Sequence, residues 1–148
     1  METDLFVEEL MDCLERGGYL ENTVVAFYAD HYNYYMLNDA QLMDIKGADN
    51  LNELQHTDFF IYSKDLEPRT VEKYTSSPDV LPTLCNLFGL DAQFGLLVGD
   101  DAFSDAGGYV FFNDNTWTGS DENLAADIAL RRRVSGLILA GDYWAMGK

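Results

Sequence analysis

The stretch that decides the fold is Val24-Val25-Ala26-Phe27-Tyr28-Ala29-Asp30-His31-Tyr32. It is an unbroken apolar run that ends in a carboxylate and an imidazole. A run of this length without polar alternation reads as a strand buried on both faces. In open α/β sheets, working groups sit just beyond the carboxyl ends of such strands. Asp30 and His31 occupy that position. An oxygen donor beside a nitrogen donor is half of a divalent-metal site.

Upstream, residues 4–16 read as an amphipathic helix with Phe6, Leu10, Cys13 and Leu14 on its apolar stripe. Thr3 or Asp4 is placed to cap it, and Gly17-Gly18 to end it. Helix, tight loop and apolar strand over 23–29 make the αβ half of an α/β unit. Downstream, Asn38 is placed to cap a short helix near 39–45, with a loop from Gly47 to Asn52. Thr57 to Ser63 reads as a second strand. Ser76-Ser77-Pro78-Asp79 is a helix start, with Ser as cap, Pro in the first turn and an acid at the positive end of the dipole. Leu81, Leu84, Cys85 and Phe88 form its expected stripe, and Gly89 stops it. Residues 95–105 form an irregular link. Tyr109 to Phe112 and a return strand at Trp117 make a hairpin. Ser120 precedes a long final helix over 121–140. Its apolar positions are Leu124, Ile128, Leu130, Val134, Leu137 and Ile138, and Arg131, Arg132 and Arg133 hold much of its solvent side. The expected fold class is therefore α/β, a sheet with flanking helices, a C-terminal hairpin and a long last helix. No internal repeat or linker divides the 148 residues, which read as one domain over 1–148.

Bulk properties narrow the function. With 9 basic against 26 acidic residues the formal charge is −17. Such a field repels nucleic acid and anionic membrane surfaces. It also disfavours an anionic substrate unless a bound cation compensates locally. Cys13 and Cys85 read as buried free thiols, not a disulfide framework. No run is long and apolar enough to span a membrane, so the expectation is a soluble chain.

Other chemistry-bearing residues have plainer explanations. His56 and Asp58 precede a strand and read as boundary residues. Asp79 reads as a cap. Tyr32, Tyr34 and Tyr35 read as rings packing over a sheet edge. No serine or cysteine lies in a nucleophile elbow, and there is no glycine-rich phosphate loop.

Several segments together resemble one family. Glu21 to Tyr32 is similar to the strand-plus-Asp-His segment of the sulfatase and alkaline phosphatase superfamily, most of all in its lipoteichoic acid synthase-like phosphoglycerol transferases. Thr57 to Ser63 resembles the next strand, and Ser77 to Asp91 the helix with a Leu-Pro-Thr core. Leu97 to Ser104, Tyr109 to Asn113 and the ending Gly141-Asp142-Tyr143-Trp144 resemble the segments that follow. Asn33 stands where the family commonly has glycine.

The resemblance implies a partial sulfatase/alkaline-phosphatase-like mixed sheet, the C-terminal portion of a larger catalytic domain. It implies a divalent cation, manganese in this branch, with magnesium, zinc or calcium as alternatives. Asp30 and His31 would be two of its ligands. The threonine nucleophile and the remaining ligands have no counterpart here, so the site in this chain would be incomplete and the chain inactive alone. The implied parent is extracytoplasmic and membrane-anchored, acting on a polar-lipid, phosphodiester or sulfate-ester substrate. The implied partner is the upstream part of the same domain. A sulfuric- or phosphoric-ester hydrolase of the same superfamily is an alternative, and a two-metal phosphatase or phosphopentomutase-like relative ranks below it. A different class remains open, a non-catalytic interaction domain that self-associates through an exposed sheet surface.

Overall fold

The computed structural model describes residues 2–32, 34–35 and 37–145; Asn33 lies outside them. Over the described residues the chain is mixed α/β, with five α-helices and two small antiparallel sheets. It divides into two compact units, residues 1–69 and 70–148.

In the first unit, α1 (Glu2–Arg16) leads through a 3-10 turn into β1 (Val25–Tyr28). Its half-buried side is Val7, Leu10, Met11 and Leu14, one position away from the expected stripe. Phe6 and Cys13 are exposed, so the expectation of two buried thiols holds only for Cys85. The reason is geometric. The i, i+3, i+4, i+7 set beginning at Val7 (Val7, Leu10, Met11, Leu14) is wholly apolar, whereas the set beginning at Phe6 takes in Glu9, so the regular period itself favours the observed face over the expected stripe.

α2 (Asp39–Lys46) begins with a capping box, in which the Asn38 side chain accepts from Gln41 N and the Gln41 side chain accepts from Asn38 N. It ends at Gly47 in the left-handed region, φ 67°. A four-residue α3 (Leu51–Leu54) follows, capped by Asn50, inside what the sequence reads as loop. Leu42 and the fully buried Leu54 form this unit's small core. Lys46 Nζ ties the pair down by donating to the carbonyls of Leu54 and His56, at 2.9 and 2.6 Å.

β2 (Phe59–Tyr62) pairs antiparallel with β1, Tyr28 opposite Phe59 and Val25 opposite Tyr62. The run read as buried on both faces is only half-buried, and Tyr28, Phe60 and Tyr62 are exposed. A two-stranded ribbon has no third strand and too little covering structure to bury both faces.

In the second unit, α4 (Ser77–Leu87) starts where the sequence places it. The Asp79 carboxylate accepts from Ser76 N at 2.7 Å and Ser76 Oγ at 3.3 Å. Gly89 closes the helix at φ 61°. The buried positions are Asp79, Val80, Pro82, Thr83 and Cys85, while Leu81 and Phe88 are exposed. The hairpin is present as β3 (Tyr109–Phe111) and β4 (Trp117–Gly119), with Asn115 at φ 72° in its turn.

The last helix, α5 (Ala125–Ala140), is preceded by a 3-10 turn capped by Asp121 rather than Ser120. Ile128 is its buried anchor. Arg131 turns inward. It donates to Val98 O at 3.2 Å and Asp100 Oδ2 at 2.8 Å, and pairs with Asp127 at 2.8 Å. Arg132 lies 4.1 Å from the centre of the Phe111 ring.

Candidate functional site

β1 ends at Tyr28, and the chain then presents Asp30 and His31 in the open turn beyond it. The imidazole has one fixed partner, as His31 Nδ1 lies 2.8 Å from the carbonyl oxygen of Tyr32. A carbonyl only accepts, so Nδ1 carries the proton and donates. That leaves Nε2 with the lone pair in the neutral ring. Nε2 faces Asp30 Oδ1 at 3.4 Å. A tetrahedral ion with bonds of about 2.1 Å holds its donors about 3.4 Å apart. The pair offers one oxygen donor and one neutral nitrogen donor at the separation of a tetrahedral ion's ligands, wider than the roughly 3 Å between adjacent ligands of an octahedral one. Asp30 is 86% exposed and His31 45%, so an ion here would be open on its other sides.

Aromatic rings flank the imidazole. Tyr34 is centred 4.7 Å from it, Tyr35 lies 4.3 Å from Tyr34, and the Tyr34 hydroxyl donates to that of Tyr35 at 3.2 Å. That hydrogen bond heads the causes that push the Tyr34 phenol above its ordinary range. Tyr34 and Tyr35 thus lean against the histidine at tilted and edge-on angles and stay exposed.

The antiparallel register brings the end of β1 and the start of β2 to the same end of the ribbon. His56 and Asp58 leave from that end too, both exposed. Even so, no three His, Cys, Asp or Glu side chains among the described residues converge as a metal-holding group. Asp79 lies in the other unit as a helix cap. Its carboxylate also accepts from Asp100 N at 2.7 Å, and burial pushes its pKa up against these hydrogen bonds. The fully buried Thr83 is a tie that sequence reasoning missed. Its hydroxyl donates to Asp79 O at 2.6 Å and accepts from Ala102 N at 2.9 Å. A threonine inside a helix gives no local sign of a partner 19 residues away.

The sulfatase family profile matches residues 1–90, which include β1, the Asp30-His31 turn, β2 and α4. The chain belongs to the sulfatase family. This sulfatase-family chain is 26% identical over 106 residues to lipoteichoic acid synthase 2 of Bacillus subtilis. It is 28% identical over 105 residues to the lipoteichoic acid synthases of Staphylococcus saprophyticus and Staphylococcus aureus. Each alignment covers 68% of this chain and 16% of the relative, so the chain spans a small part of the length of the proteins it matches. No solved structure matches. Among the described residues no helix is long and apolar enough to cross a membrane.

Proposed function

We propose that this chain is the part of a sulfatase-family catalytic domain that supplies the Asp-His half of a divalent-cation site, in a phosphoglycerol transferase of the lipoteichoic acid synthase kind. The observation that carries the reading is the Asp30-His31 pair itself. It stands at the end of β1 within the matched region, with the Nε2 lone pair turned toward the carboxylate at 3.4 Å. The fold supplies two donors and no third among the described residues. The remaining ligands and the nucleophile would come from the much longer chain that the relatives possess.

The roles of the residues follow from their geometry. Asp30 contributes negative charge and an oxygen donor. His31 contributes a neutral nitrogen donor, held in one tautomer by the Tyr32 carbonyl. The Tyr34 ring lies against the imidazole, tilted by 54°. A bound cation, manganese in the reading preferred here, would offset the field of a chain of charge −17 and polarise an anionic ester. The parent protein would act outside the cytoplasmic membrane on a polar-lipid phosphodiester. Alone, the 148 residues would not turn over substrate. The family profile, which is broader than these relatives, also accommodates a second reading, a sulfuric- or phosphoric-ester hydrolase.

Paramagnetic Mn²⁺ provides the test. Substoichiometric Mn²⁺ is expected to broaden the amide resonances of residues 29–32 and the His31 ring before any others. Selective broadening elsewhere, with this turn unaffected, would refute the assignment.

A further inference from the structure

The face that the last helix turns toward its own unit has a polar centre. Leu124, Ile128, Arg131, Ser135 and Ile138, at alternating steps of four and three, are its covered positions. Ile128 alone is fully buried among the described residues of α5. A guanidinium and a hydroxyl thus stand in the middle of the stripe, where apolar burial would ordinarily hold a helix down. The groups that meet them are polar too. Arg131 donates to Val98 O and Asp100 Oδ2 and pairs with Asp127. Arg131 and Asp100 are 33% and 29% exposed, so solvent screens their pair only in part. Arg132 adds a weaker hold on the hairpin, donating to Phe112 O at 3.3 Å.

The receiving side is fixed without α5. Val98 O also accepts from the Tyr109 hydroxyl at 3.3 Å, and Asp100 N donates to Asp79 Oδ1 at 2.7 Å. Between them, Gly99 lies so close to α4 that an added Cβ would stand 2.2 Å from Pro78 O. Residues 98–100 are therefore tied to β3 and to the start of α4. The chain enters α5 from a second fixed point, where Ser120 N donates to Gly108 O at 3.0 Å. Beyond it the short 3-10 turn Glu122–Leu124 is capped only by the adjacent Asp121.

We propose that α5 is a strap, hinged at residues 120–124 and clasped by Arg131, that opens from its unit while α4 and residues 98–100 stay folded. Detached, a helix of 16 residues with Gly136 in its interior is marginal in water, so opening also unwinds it. The charged and titratable groups around the clasp are Asp79, Asp100, Tyr109 and Asp127, with Arg131 the one cation among them. Its charge holds the clasp shut, and weakening that charge raises the open population.

Amide hydrogen exchange of the 148-residue chain, resolved by NMR, tests this. Raising the salt from about 0.1 to about 1 M shortens the Debye length from about 10 to about 3 Å. In the wild type, the amides of residues 129–140 are expected to exchange a few-fold faster at the higher salt, with the Ala102 amide unchanged. Arg131→Met keeps the apolar stem and removes the charge. It should speed exchange of residues 129–140 by about tenfold or more, leave Ala102 within about twofold, and abolish the salt response. This is the decisive arm, because it makes the covered stripe more apolar, and a helix held by apolar burial would become better protected. Exchange of residues 129–140 that is unchanged or slower in Arg131→Met, an acceleration shared equally by Ala102, or a salt response as large in the variant as in the wild type would each overturn the proposal. Protection at Ala102 shows that the unit has folded, and the salt series on the wild type needs no substitution.

Discussion

Thr83→Val removes the hydroxyl that joins α4 to the segment carrying Ala102 while keeping nearly the same shape. In the wild type that oxygen donates to Asp79 O and accepts from Ala102 N, with Thr83 fully buried and Ala102 7% exposed. Valine cannot accept, so the Ala102 N–H would be left buried and unpaired, at a cost of about 1–3 kcal/mol. The Asp79 carbonyl loses little, since it keeps its helical partner. The added methyl recovers about 0.8 kcal/mol by burial. The expected net loss is therefore about 1–2 kcal/mol. Both tryptophans, Trp117 and Trp144, lie in residues 70–148, so tryptophan fluorescence in urea reports on this unit. Thr83→Ser keeps both hydrogen bonds but loses a buried methyl, at a comparable cost. Stability alone thus does not separate the two variants; amide exchange does. Ala102 should lose its protection in Thr83→Val and keep it in Thr83→Ser. Equal protection in both variants would refute the tie.

Two further outcomes concern the same region. Gly99→Ala should destabilise by roughly 3 kcal/mol, because an added Cβ would stand 2.2 Å from Pro78 O and 2.6 Å from Asp79 N, both backbone atoms; an unchanged urea midpoint would contradict the close approach. Burial raises the pKa of Asp79, so the folded chain holds that proton more tightly than the unfolded chain. Its contribution to stability is then greatest below the unfolded value of about 3.9 and declines as pH rises through the folded value. Against Asp79→Asn, the wild type should lose ground from about pH 4 upward; a relative gain would mean that the hydrogen bonds from Ser76 and Asp100 outweigh desolvation.

What the sequence disclosed and what it hid divide along physical lines. Helix ends are written locally. The Asn38 cap, Ser76 with Asp79, and the stop at Gly89 act within a turn and were readable, whereas the Gln41 half of the first capping box and the left-handed Gly47 were not read. The hairpin and the long last helix were readable for the same reason. The inward turn of Arg131 toward Asp100 depends on a residue far along the chain. Arg131 sits in a run of three arginines that looks like a solvated face until Asp100 is placed beside it. The apolar run of β1 gave its strand but overstated its burial, because hydropathy reports what a strand could bury and not what covers it. For the site, Asp30 and His31 were legible as a pair of donors after a strand. The orientation of the imidazole was not, since it depends on the Tyr32 carbonyl.

The account turns on whether Asp30 and His31 hold a cation together. Calorimetric titration of the chain with Zn²⁺, at a salt concentration that suppresses loose binding to its acidic surface, tests this most directly. The expected result is one weak, saturable event, as befits two donors, that disappears in Asp30→Ala and in His31→Ala. Saturable binding that survives both substitutions, or its absence from the wild type, would contradict the account.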